Sequence, residues 1–76
     1  MTREDPWIGL TPREREVLAL LSSRQTDQQI ADRLAISRRT TSSHVAHILE
    51  KLDAGSRREA ATVARMWEGP DRAHGD

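Results

Sequence analysis

Apolar residues along this chain recur at helical spacing in four clusters, each preceded by a hydroxyl residue. Val17, Leu18, Leu20 and Leu21 form the first, behind Thr11-Pro12-Arg13-Glu14. A threonine N-cap, a proline at the first helical position and a glutamate at N3 make a capping box. That helix runs out at Ser22-Ser23. Thr26-Asp27-Gln28-Gln29 repeats the box with glutamine at N3, and Ile30 and Leu34, one turn apart, predict a second, short helix. After an Ala35-Ile36 turn, Ser37 caps a third helix, over about 38–52, that buries Val45, Ile48, Leu49 and Leu52. Asp53-Ala54-Gly55 breaks it. Ser56-Arg57-Arg58-Glu59 reads as a third capping box, and Ala60, Val63, Ala64 and Trp67 as the stripe of a fourth helix stopped by Gly69-Pro70. Strand signals are absent. The chain reads as all-α.

A short helix, a tight turn and a longer helix make the helix-turn-helix arrangement. A helix advances about 100° per residue, so the buried stripe of the third helix defines its outer face. Arg39, Thr40, Ser43, His47 and Glu50 point most nearly outward, flanked by Ser42 and Ala46. Nothing large and apolar lies there. Such a helix can enter a major groove about 12 Å wide and offer its N-terminal residues to base edges. The helix-turn-helix domain is expected over 10–68, behind a flexible lead-in of 1–9 whose Trp7 folds back on the core. Residues 69–76, including "DRAHGD", read as a disordered tail.

Length and composition narrow the function. Seventy-six residues make one small domain, and without cysteine no disulfide or thiolate zinc site can staple it. No apolar run approaches the roughly 18 residues of a membrane span, and no signal-peptide pattern is present. The chain therefore reads as soluble and cytoplasmic, without a membrane partner. His44 and His47 lie one turn apart but lack a third ligand, so they read as surface histidines, with no metal. Neither a nucleophile–base constellation nor a glycine-rich phosphate loop is present, so no enzyme and no cofactor are expected.

The formal net charge is zero, which at first argues against a nucleic-acid partner. The distribution argues otherwise. Residues 24–58 carry Arg24, Arg33, Arg38, Arg39, Lys51, Arg57 and Arg58 against Asp27, Asp32, Glu50 and Asp53, while both flanks are net acidic. Between Arg33 and Leu49 there is no acid at all. A basic patch thus coincides with the outer face of the third helix.

The stretches "LTPREREVLALL", "DQQIADRLAIS", "RTTSSHVAHILEKL" and "SRREAA" resemble, in order and spacing, the LuxR-type (GerE-like) helix-turn-helix domain of bacterial transcription regulators. The resemblance runs from about Leu10 to Trp67. It implies a four-helix domain that binds double-stranded DNA as a sequence-specific regulator and dimerises, commonly through its last helix. That dimer surface would be Val63, Ala64 and Trp67. Thr26 and Gln28 fall where the family makes phosphate contacts, at a helix end that favours anions. Ser37, Arg38, Arg39 and Thr40 would open the recognition helix against the backbone. Ser42, Ser43, Ala46 and His47 match positions used for bases or nearby backbone, with Lys51 and Arg57 as phosphate contacts at the far end. RNA polymerase is a further candidate partner; no small-molecule ligand is expected in this domain. Family members usually follow a receiver or ligand-binding domain, so this chain is either a stand-alone member or a fragment of something longer.

Departures from the family pattern matter. Where "TVK" is frequent, this chain has Thr40-Thr41-Ser42, and lysines common at the positions of Gln28 and Ala46 are missing. Each absent phosphate contact lowers the salt slope by about one unit, so binding weaker and more dimer-dependent than a typical relative's is expected. Two rivals stand beside the regulator. One is a promoter-reading terminal domain of a sigma factor, against which the "SRREAA" helix counts. The other is a protein-interaction module that kept the fold and lost DNA affinity.

Overall fold

The computed structural model describes residues 7–67. Four helices follow one another: α1 (Pro12–Ser22), α2 (Asp27–Leu34), α3 (Arg38–Leu52) and α4 (Arg57–Met66). No strand occurs among the described residues, in keeping with the all-α expectation. The tail expected over 69–76 lies outside the described residues. None of these helices is long and apolar enough to cross a membrane.

Helix starts follow the capping chemistry. Thr11 Oγ1 accepts the Glu14 N–H at 3.1 Å while Glu14 Oε1 accepts the Thr11 N–H at 2.9 Å. Thr26 and Gln29 do the same at 3.1 and 2.8 Å. The third box forms only by half. Ser56 Oγ accepts the Glu59 N–H, but the Glu59 carboxylate accepts from Gly55, one residue earlier than a capping box requires.

Helix ends share one device. Arg24, Ala35 and Asp53, just past α1, α2 and α3, all have positive φ, at 67°, 58° and 55°. In each case the next residue donates its N–H five residues back: Gln25 to Leu20, Ile36 to Ala31 and Ala54 to Leu49, at 2.9–3.1 Å. These are Schellman closures, which satisfy carbonyls a helix end would leave unpaired. None of the three is glycine, and a left-handed L-residue costs roughly 1 kcal/mol or more. Asp53 rather than Gly55 therefore turns the chain out of α3.

The core gathers Val17, Leu18 and Leu21 of α1, Ile30 of α2, and Val45 and Ile48 of α3. From α4 it receives only alanines, Ala60, Ala61 and Ala64, whose small side chains let that helix lie close against α1. Leu34, Leu49, Leu52 and Trp67 are partly buried around them. Thr41 extends the stripe of α3 by one turn. It is fully buried, and its hydroxyl donates to the Ser37 carbonyl at 3.1 Å, so the buried oxygen is satisfied.

Trp7 folds back and is 4% exposed. Its carbonyl accepts from Arg15 Nε at 3.1 Å, and Gly9's accepts from Lys51 Nζ at 3.3 Å. Residues 7–9, within the expected lead-in, are thus held through their carbonyls by side chains of α1 and α3.

Glu14 does two jobs. Besides capping α1, its Oε1 accepts from Lys51 Nζ at 2.8 Å, tying the end of α3 to the start of α1. Burial pulls its pKa up, but hydrogen bonds from Lys51 and Thr11 and the lysine charge outweigh this, and the net shift is downward. A depressed carboxylate contributes stability above its ordinary pKa, near 4.3, and loses it as pH falls through the folded value. Wild type should therefore melt above Glu14→Gln at about pH 6, and that gap should shrink on acidification below about pH 4.5. Thermal melts of the two proteins from pH 6 to 3 check this; a gap that stays constant refutes it.

Candidate nucleic-acid interface

α2 and α3 meet through the closure at Ala35, and the 15 residues of α3 give a rod about 22 Å long. Ser37 caps it: its Oγ accepts the Thr40 N–H at 3.0 Å and donates to Thr40 Oγ1 at 2.9 Å. Both hydroxyls are therefore engaged in the cap, although both residues remain exposed. Arg38, Arg39, Ser42, Ser43, Ala46 and His47 are exposed as well, and the face they share carries no carboxylate before Glu50. Arg38 and Arg39 make no ion pair within the described residues, which leaves both guanidinium groups available to an external acceptor. His44 is half-buried, and no group of three metal-ligating side chains forms among the described residues.

At the N-terminus of α2, Thr26 and Gln28 are exposed beside this face, but neither is idle. Thr26 caps its own helix, and Gln28 donates its amide to Asp32 at 2.9 Å. Asp27, a residue the sequence reading passed over, is the hub. Its carboxylate sits at the positive end of α2, accepts from Ser42 Oγ at 3.4 Å, and pairs with the guanidinium of Arg57. Arg57 also donates to the Gln25 carbonyl at 3.1 Å. One acid thereby joins α2, α3 and α4.

Two residues expected as phosphate contacts also tie the helices together. Lys51 is held by Glu14 and the Gly9 carbonyl, and Arg57 by Asp27 and Gln25. Their charges are answered inside the molecule, since helix packing brings acids from α1 and α2 within reach. The expected dimer surface also needs revision. Ala64 has no exposed area, so it faces its own core and cannot touch a second copy. Val63 and Trp67 are half-buried, and the prominent apolar side chain on α4 is Met66, 72% exposed. The stripe rule missed Met66 because a lone apolar residue on an outer face carries no periodic signal.

Comparison with known proteins places these features in a family. The family model for bacterial regulatory proteins of the luxR family matches residues 9–64. The chain is 42% identical over 62 residues to the DNA-binding transcriptional activator DevR/DosR of Mycobacterium tuberculosis, covering 82% of this chain and 29% of that protein. Against the nitrate/nitrite response regulator protein NarL of Escherichia coli it is 46% identical over 63 residues, covering 83% and 27%. Against the transcriptional regulatory protein LiaR of Bacillus subtilis it is 39% identical over 59 residues, covering 78% and 28%. The chain thus spans less than a third of the length of these relatives. With a match that covers three helices and most of the fourth, it belongs to the luxR family of bacterial regulatory proteins.

Proposed function

We propose that this chain is a sequence-specific, DNA-binding transcription regulator that lays α3 in the major groove. The observation that carries the reading is the exposed face from Arg38 to His47, where α3 carries no acid of its own, with two arginines at its leading end that make no ion pair among the described residues. Arg38 and Arg39 contact phosphates on either side of the groove's entrance, and Ser42, Ser43, Ala46 and His47 face base edges or the adjoining backbone. Thr26 and Gln28 lie against the backbone at the N-terminus of α2. Lys51 and Arg57 support the site by holding helices together. Fluorescence anisotropy with a generic duplex across a salt series tests this: binding should weaken steeply as salt rises. A folded chain that binds no duplex at low salt is instead a protein-interaction module, the reading favoured by the internal neutralisation of Lys51 and Arg57.

The regulator works as a dimer through the outer face of α4, with Val63, Met66 and Trp67 at the contact. A domain this small has little apolar area to leave in water, and a two-fold pair matches the symmetry of paired half-sites. Met66→Glu, at an exposed position, should leave the fold intact and weaken self-association about tenfold or more, as a desolvated charge at an interface demands. Sedimentation velocity over a concentration series reads this directly. Unchanged self-association removes α4 from the interface.

A further inference from the structure

Beside the N-terminus of α2, adjoining the face that α3 presents, the surface opens into a groove of about 820 Å³. Its floor includes Leu21 and Ala61, and its rim carries Arg24, Arg57, Arg58 and Arg65 with Asp27 as the sole acid among the lining residues. Two of these arginines are occupied: Arg57 pairs with Asp27, and Arg65 donates to the Ser22 carbonyl at the end of α1 at 3.0 Å. Arg24 and Arg58 are exposed, and their guanidinium groups make no hydrogen bond or ion pair within the described residues. Arg24 moreover holds a left-handed backbone position, φ 67°, that glycine would occupy without strain.

The groove is continuous with the reading face. Ser42 on α3 touches Asp27, Asp27 pairs with Arg57, and both line the groove or adjoin it. We propose that this groove takes the sugar–phosphate backbone of DNA flanking the stretch read by α3, with Arg24 and Arg58 as the contacting cations. The proposal rests on the DNA-binding reading given above. It adds to the arginines of the recognition helix two further cations whose guanidinium groups have no partner among the described residues. Guanidinium groups suit this task, since their planar forks match phosphate oxygens. Flanking phosphates carry no base information, so these contacts add affinity and register rather than sequence choice.

The test compares wild type with the Arg24→Gln/Arg58→Gln double variant on a duplex of about three helical turns, from about 50 to 200 mM salt. Neither side chain has a partner among the described residues, so circular dichroism and melting temperature should match wild type. The slope of log affinity against log salt should become shallower by about 2, near 0.9 for each phosphate lost. Arg13→Gln, a charge change on α1 already paired with Glu16, should alter the slope far less. Wild-type binding with an unchanged slope in the double variant overturns the proposal. If that unchanged slope comes with lost binding to polyglutamate, the groove belongs to an acidic protein, and the proposal fails equally. Wild type that binds no duplex fails the DNA-binding reading itself, a result distinct from either.

Discussion

Ile48→Ala is expected to destabilise the domain by about 3–4 kcal/mol and to leave much of it unfolded at room temperature. Ile48 has no exposed area and sits in the middle of α3, where α1 and α4 also pack. Truncation removes three carbon atoms from the centre of the core, and the cavity cannot easily collapse onto it. A domain of about this size has a total stability of only several kcal/mol, roughly 0.05–0.15 per residue. Loss of this one side chain therefore approaches the whole. The exposed neighbour His47→Ala should change stability by about 0.5 kcal/mol or less. Urea denaturation followed by helical circular dichroism separates the two. An Ile48→Ala loss below about 1 kcal/mol would mean that the helices do not converge on this residue.

The second large effect concerns affinity. Replacing both Arg38 and Arg39 with alanine should weaken duplex binding about 10- to 100-fold and make the salt slope shallower by about 2. These arginines have no side-chain partner among the described residues, so their removal leaves folding almost untouched and acts on the complex alone. Binding on a single duplex at several salt concentrations gives both quantities. A uniform loss of affinity with an unaltered slope would mean that the arginines act through something other than phosphate.

Restoring a lysine at position 42 should have a smaller effect than the sequence pattern implies. Ser42 Oγ lies 3.4 Å from Asp27 Oδ2, so the new ammonium meets that carboxylate before it meets DNA. It would compete with Arg57 for Asp27, and the net gain in phosphate contact would be below the full unit of salt slope that one free lysine confers. The local sequence points to a lost cation; the tertiary neighbour decides what its return is worth.

What the sequence by itself determined was most of what is governed by interactions within a turn or two. Thr11, Thr26, Ser37 and Ser56 cap their helices because the N–H groups they satisfy lie three residues on. The buried positions of α3 follow from helical periodicity, and so does its polar outer face. The likeness to the luxR family is carried by the same local order. Only the tertiary structure decided which charges are spent. Glu14 meets Lys51 across 37 residues and Asp27 meets Arg57 across 30, and neither pairing leaves a periodic trace in the chain. The same packing covers Ala64 completely and leaves Val63 and Trp67 half-buried, a difference within one stripe that spacing alone does not give. Side-chain charge is legible residue by residue, but its availability to a partner depends on distances through space. Those distances are fixed by how four helices close over one small core.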